Sequence, residues 1–271
     1  MKRFTMWLLG RLGLSAPLAG DIAEEYERRG STWRAWRQAL TASVLSLTLR
    51  KAVGLLAVAS AVWMAVTIGH AWVRSPRLVA QLEESGKLEL GPGALSDWQR
   101  CALIAVQDPG FDDHLGVGLF QGRLGHVTVT QVVAKRLFGY ERSFYSKSRV
   151  MAMSLALDRK FSKDDQLRIF LNQVYLGAMG DEQIAGFAAA SRAYFDSGFG
   201  EITDDEFLAL VVMVFAPNGW NVLKHPDRNA DQVHRFRSVA KRSCRPSPQT
   251  EAGMIQQPTS WEVPSHRGSG S

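Results

Sequence analysis

The chain has 271 residues, 46% of them hydrophobic, and a net charge of +6, which suits one medium-sized domain with a packed core plus appendages. The basic balance favours anionic partners such as phospholipid or pyrophosphate lipid, and the lack of any RNP-type, zinc-finger or helix-turn-helix pattern sets nucleic acid aside. Cys101 and Cys244 are the only cysteines; so far apart they make no metal motif, and they read either as structural thiols or as a pair formed outside the cytosol.

Residues 1–51 carry nine Lys or Arg. Within them Trp33–Leu49 mixes Trp, Leu and Arg, and reads equally well as an amphipathic helix on a membrane interface or as a solvated one. Ala52 to Val73 then runs for 22 residues without Asp, Glu, Lys or Arg; as a helix that is roughly 33 Å, enough to cross a bilayer core. The run is too long and starts too far into the chain for a signal peptide. Only Arg74 and Arg77 follow it closely, so the positive-inside rule places residues 1–51 in the cytoplasm and 74–271 outside the inner (plasma) membrane.

Residues 74–95 read as a polar linker, with Gly91-Pro92-Gly93 near its end. Residues 96–245 form the domain. Ser96 is a candidate N-cap for a helix carrying Trp98, Cys101, Ala102 and Ala105 at helical spacing and stopping at Pro109. A glycine-rich irregular stretch follows, with five glycines between Gly110 and Gly125. Helical patterns recur from Thr128, over about Ser148–Arg159, after the capping box of Ser162 and Asp165, and through Ile184–Tyr194. Thr203 and Glu206 form another capping box, and Phe207–Ala216 is apolar all round, as a central buried helix should be. No alternating strand series or internal repeat stands out, so the domain is expected to be mainly α. Residues 246–271 are rich in Ser, Pro, Gly and Gln and read as a disordered tail.

Taken in order, several of these segments resemble the glycosyltransferase family 51 peptidoglycan polymerases. Val106–Val117 (VQDPGFDDHLGV) is similar to that family's Glu-Asp-x-x-Phe-x-x-His-x-Gly, and Gly125–Phe138 to its Gly-Gly-Ser-Thr-Ile-Thr-Gln-Gln-Leu-x-Lys-Asn. Ser146–Arg159 matches Arg-Lys-x-x-Glu and the helix after it, and Phe161–Gly177 matches Tyr-Ser-Lys-(Asp/Glu)-x-Ile-Leu-Glu-x-Tyr-Leu-Asn. Gly186–Phe195 and Phe215–Asn229 extend the likeness over roughly residues 96–240. The resemblance implies a lysozyme-like, α-helical glycosyltransferase domain behind one transmembrane helix, acting on lipid II or nascent glycan in cell-wall synthesis.

The same resemblance exposes departures. In the family the Glu of the first motif takes the proton of the attacking sugar hydroxyl; Gln107 stands there, and an amide accepts no proton near neutral pH. The Glu and Arg of Arg-Lys-x-x-Glu fall on Val150 and Ser146, the Ser of Gly-Gly-Ser-Thr on Val127, and the Glu of Ile-Leu-Glu on Arg168. General-base help is worth roughly 10²–10⁴-fold, so catalysis is expected to be lost or vestigial. Asp108, Asp112 and Asp113 are the alternative bases, although the resemblance gives Asp108 a structural role.

The binding apparatus implied by the resemblance is Phe111, His114, Thr128, Thr130, Gln131, Lys135, Arg142 and Lys147, the cations pairing with pyrophosphate oxygens. Gly118, Leu119 and Phe120 occupy the region where the family meets the membrane. No cofactor is expected, although the resemblance leaves room for a divalent metal. Three functions follow: a non-catalytic binder of lipid II, glycan or a cell-wall synthase; a working transferase with an unusual base; or a membrane scaffold with no ligand.

Overall fold

The computed structural model describes residue 24 and residues 32–118, 127–139, 143 and 145–244; between 32 and 49 it describes the backbone and the side chains of Arg37 and Thr41 only. The tail 246–271, Arg142, Leu119 and Phe120 lie outside the described residues. Two compact units divide the chain, residues 1–66 and 67–271.

What is described of the first unit is almost wholly helix α1, which runs Thr32–Glu84. Its apolar side chains face outward: Leu55 is 71% exposed and Leu56 68%. Rows of bare aliphatic carbon around a helix are unfavourable in water. Within Arg50–Glu84 the most apolar 18-residue window has a mean hydropathy of 2.0, and the segment is long and apolar enough to cross a membrane by length and composition.

The second unit opens with the last turns of α1. There the helix becomes two-faced: Ala71 and Ser75, one turn apart, are fully buried while Val73 is 64% exposed. The helix therefore continues well into the stretch that reads as a linker. Pro76 lies inside it and removes one backbone donor. The packing of Ala71 and Ser75 and an ion pair from Glu83 to Arg168 (2.8 Å) hold the helix past that point. The rest of the stretch is tied to the domain as well. Asn172 accepts from the backbone N–H of Leu90 and donates to its carbonyl, and the Gln173 side chain donates to the carbonyl of Lys87.

Beyond α1 come α2 (Asp97–Gln107), α3 (Val129–Phe138), α4 (Ser146–Lys160) and α5 (Lys163–Gln173). A hairpin of β1 (Tyr175–Met179) and β2 (Glu182–Ala185) precedes α6 (Phe187–Phe195), α7 (Asp204–Phe215) and α8 (Pro226–Ser243). Reciprocal capping boxes start four of these helices, from Ser96, Thr128, Ser162 and Thr203, each satisfying two backbone donors that a helix start would leave open. Helix α7 is the hub. Its residues 207–213 are all buried, and Phe207 packs against the rings of Trp98, Phe187 and Phe199.

The hairpin is the element that the helical periodicity of 184–194 conceals. β1 and β2 pair antiparallel with Met179 opposite Glu182 and a register irregularity between Tyr175 and Ala178. Gly186 (φ +86°) ends it; a Cβ there would meet the Asn172 carbonyl oxygen at 2.5 Å, so β2 turns into α6 only through glycine. Tyr194 anchors the pair from behind: its hydroxyl donates to the Leu176 carbonyl and accepts from Asn221, and burial pushes the phenol pKa up.

Cys101 on α2 and Cys244 after α8 form a disulfide across 143 residues of sequence, so of the two readings of the cysteines the structure selects the pair. A cross-link over so long a loop restricts the unfolded chain strongly. Reduction should lower the unfolding free energy of the detergent-solubilised chain by about 2–4 kcal/mol. Denaturant titration with and without dithiothreitol reads this directly; superimposable curves would mean that the bond contributes nothing.

Candidate active site

The site grows from the end of α2. Gln107 is its last residue and is 5% exposed. Its amide Nε2 donates to the backbone carbonyl of Val211 in the hub helix at 3.1 Å. A carboxylate at this position has no hydrogen to give, so the local geometry suits the amide.

Asp108 comes next and is 3% exposed. One carboxylate oxygen accepts the Val129 backbone N–H, 3.0 Å away, at the start of α3, and His114 Nε2 lies 2.9 Å from both oxygens. The Gly116 N–H donates to His114 Nδ1 at 3.0 Å. That bond needs a lone pair on Nδ1, so the imidazole carries its proton on Nε2 and donates it to Asp108. A carboxylate at a helix N-terminus is stabilised there by the peptide dipoles. Asp108 is thus a structural anchor.

The loop between α2 and α3 closes on this anchor. Gly116 has φ +81°, and a Cβ on it would meet the Ser154 carbonyl oxygen at 2.6 Å, so the chain at Gly116 lies directly against α4. The Thr128 hydroxyl donates to the Gly116 carbonyl at 2.8 Å. Lys163 reaches in from α5, donating to the His114 carbonyl (2.8 Å) and to Asp158 (2.6 Å), with its ammonium 4.8 Å from the Phe111 ring centre.

Beside these residues lies a cavity of about 660 Å³, a size that suits a sugar or comparable small ligand. Gln107, Asp108, Gly118, Val127 and Thr128 line one side, and Asp113 stands on its rim. Phe236, Val239, Arg242 and Ser243 of α8 form the opposite wall. Asp113 is exposed, and Asp108 already holds its partners. The free carboxylate at the cavity, among the described residues, is therefore Asp113.

The candidate residues divide accordingly. Gln107, Asp108 and Thr128 line the cavity, although Thr128 also caps α3 together with Gln131. Phe111 is fully buried and supports the loop from below. Thr130 is fully buried too and donates to Gln166 at 2.6 Å. Lys135 is half-buried and Lys147 exposed; neither lines this cavity. Val150 is buried in the core, and Ser146 donates to the Ser143 carbonyl. Arg168 points to Glu83 on α1, so its charge has a structural partner, and it does not line this cavity.

The α8 wall has no counterpart among the sequence motifs. Its one clue is Phe236 and Val239 at i, i+3 on a helix that ends at Cys244. For a divalent metal, no three His, Cys, Asp or Glu side chains converge among the described residues, and both Asp108 oxygens are engaged, so no step below runs through a metal.

The transglycosylase profile matches residues 78–243, more than half of the chain. The chain belongs to the transglycosylase family. The domain is accordingly lysozyme-like and mainly helical. It is similar to penicillin-binding protein 1B of Haemophilus influenzae, 33% identical over 172 residues, which are 56% of this chain and 22% of that protein. Penicillin-binding protein 1B of Escherichia coli is 32% identical over 168 residues, covering 56% and 20%. Penicillin-binding protein 1F of Bacillus subtilis is 31% identical over 147 residues, covering 49% and 20%. The chain thus spans about a fifth of the length of these curated relatives.

Asp108→Asn should leave a buried amide nitrogen facing His114 or the Val129 N–H, donor against donor. A loss of about 2–4 kcal/mol in unfolding free energy is expected, with Asp113→Asn within about 0.5 kcal/mol of the parent. Equal stability of the two variants would refute the anchoring role.

Proposed function

We propose that this chain is a membrane-anchored peptidoglycan glycosyltransferase-like protein that holds lipid II or a growing glycan strand in the cavity and transfers sugar poorly or not at all. The observation that carries this reading is the Gln107 amide donating to Val211 at the place of the family's base. In the transfer, a sugar 4-hydroxyl attacks C1 of a muramyl residue, the bond from C1 to the undecaprenyl pyrophosphate oxygen breaks, and the hydroxyl proton needs an acceptor. Gln107 cannot take it, and Asp108 is engaged by His114 and the start of α3. The family resemblance assigns the pyrophosphate to Lys135, Lys147 and Arg142; the two lysines do not line the cavity, so that group would extend beyond it. A cell-wall synthase is the natural protein partner.

The apolar stretch of α1 supports anchoring in the inner membrane. The nine Lys and Arg of residues 1–51 support a cytoplasmic N-terminus. The disulfide supports the same orientation independently, because such bonds persist on the oxidising side of the membrane.

A second reading is favoured by Asp113, whose exposed carboxylate stands on the cavity rim: a slow transferase in which Asp113 takes the proton. Lipid II binding and turnover, measured on one full-length preparation, separate the readings. Salt-sensitive binding without elongation is expected, weakened about fivefold or more when Lys135 and Lys147 both become Ala. Gln107→Glu combined with Val150→Glu should raise turnover if the fold tolerates the charge. Elongation that Asp113→Asn abolishes selects the second reading. Elongation at the rate of the relatives, indifferent to Asp113, overturns both.

A further inference from the structure

The last turns of α1 and the end of α4 form a cationic surface outside the cavity. On α1, Trp72, Val73, Arg74 and Arg77 are exposed while Ala71 and Ser75 face the domain. Lys160, at the end of α4, places its ammonium 4.6 Å from the centre of the Trp72 ring, and its neighbour Arg159 is exposed. The His70 ring lies 6.2 Å from Phe138, and Arg74 Nη1 is 3.4 Å from His70 Nε2.

Acids are missing from this place. Residues 67–82 contain no Asp or Glu. The single acid of α4, Asp158, is 6% exposed and bound to Lys163. Elsewhere on the domain several cations meet partners, such as Arg168 with Glu83, Arg192 with Glu89 and Arg237 with Asp205. Arg74, Arg77, Arg159 and Lys160 make no ion pair among the described residues. Four unneutralised cations beside an exposed Trp repel one another unless an anion comes between them.

Trp72 and Val73 end the apolar run itself, so these cations sit within one or two helical turns of the point where α1 would leave hydrocarbon. A tryptophan followed by Arg is the side-chain order of a bilayer interface. We infer that this surface takes the anionic phospholipid headgroups of the bilayer that α1 enters. The inference rests on the membrane reading above. The headgroup phosphates lie between Arg74, Arg77, Arg159 and Lys160, and Trp72 sits at the headgroup level.

The test uses the full chain in vesicles of phosphatidylcholine alone and in vesicles with about 30% phosphatidylglycerol, where each cation near the surface gains roughly a fivefold preference. A membrane-impermeant amine reagent labels Lys160, with exposed Lys224, in the turn before α8, as internal reference. Lys160 should label about fivefold more slowly in the anionic vesicles, and high salt should erase the difference. Arg74→Gln, Arg77→Gln and Arg159→Gln together should also erase it without changing the circular dichroism spectrum. One labelling rate in both vesicle types overturns the inference while leaving the anchor intact. Protection by inorganic phosphate in neutral vesicles, equal to that by the lipid, overturns it in favour of a free anion. A chain that floats with neither vesicle type removes the membrane reading and this inference together.

Discussion

The carboxylate of Asp108 sits where the end of α2, the loop that follows and the start of α3 meet, and its burial fixes all three. It accepts from the first N–H of α3 and from His114, and His114 in turn accepts from Gly116. A buried ionised carboxylate is tolerable only with such donors around it. Each donor is then committed to one place, so the floor of the cavity is set before any ligand arrives. The cost is chemical: both Asp108 oxygens are taken up by protein donors, which leaves neither open to a sugar hydroxyl.

That arrangement explains how the fold accommodates an amide at 107. Gln107 and Asp108 are neighbours in sequence but belong to different duties. Gln107 ties α2 to the hub helix, and Asp108 ties the loop to α3. An amide at 107 leaves the second set of bonds untouched, and the Val211 carbonyl gives it a partner that a carboxylate would repel. The cavity floor therefore rests on Asp108 whichever of the two side chains, amide or carboxylate, stands at 107.

Much of the helical frame was legible because its signals are local. Capping pairs at Ser162 and Thr203 and the all-apolar run at 207–216 specify starts and burial from a few residues each. The hairpin was not, because its strands have only five and four residues, glycines interrupt it at 177 and 180, and its burial shows no alternation; its end depends on the fit of Gly186 against Asn172. The stretch 74–95 reads as linker on composition, since its order comes from Asn172, Gln173 and Arg168, some eighty residues away. At the site, motif order located Gln107, Asp108 and Thr128, but it could not separate groups that line the cavity from groups that support it, such as Phe111 and Thr130. The α8 wall was invisible because distant contacts set it: Ala240 in the core, Phe236 on Phe215, and the Cys101–Cys244 bond, whose formation sequence leaves open.

The contact of Arg168 with Glu83 bears on how chains of this kind diverge. The two residues are 85 positions apart and meet at 2.8 Å. Glu83 is half-exposed, so either charge alone can be hydrated, but two acids there would stand face to face. A sister sequence that keeps Glu at 168 should therefore tend to abandon the acid at 83.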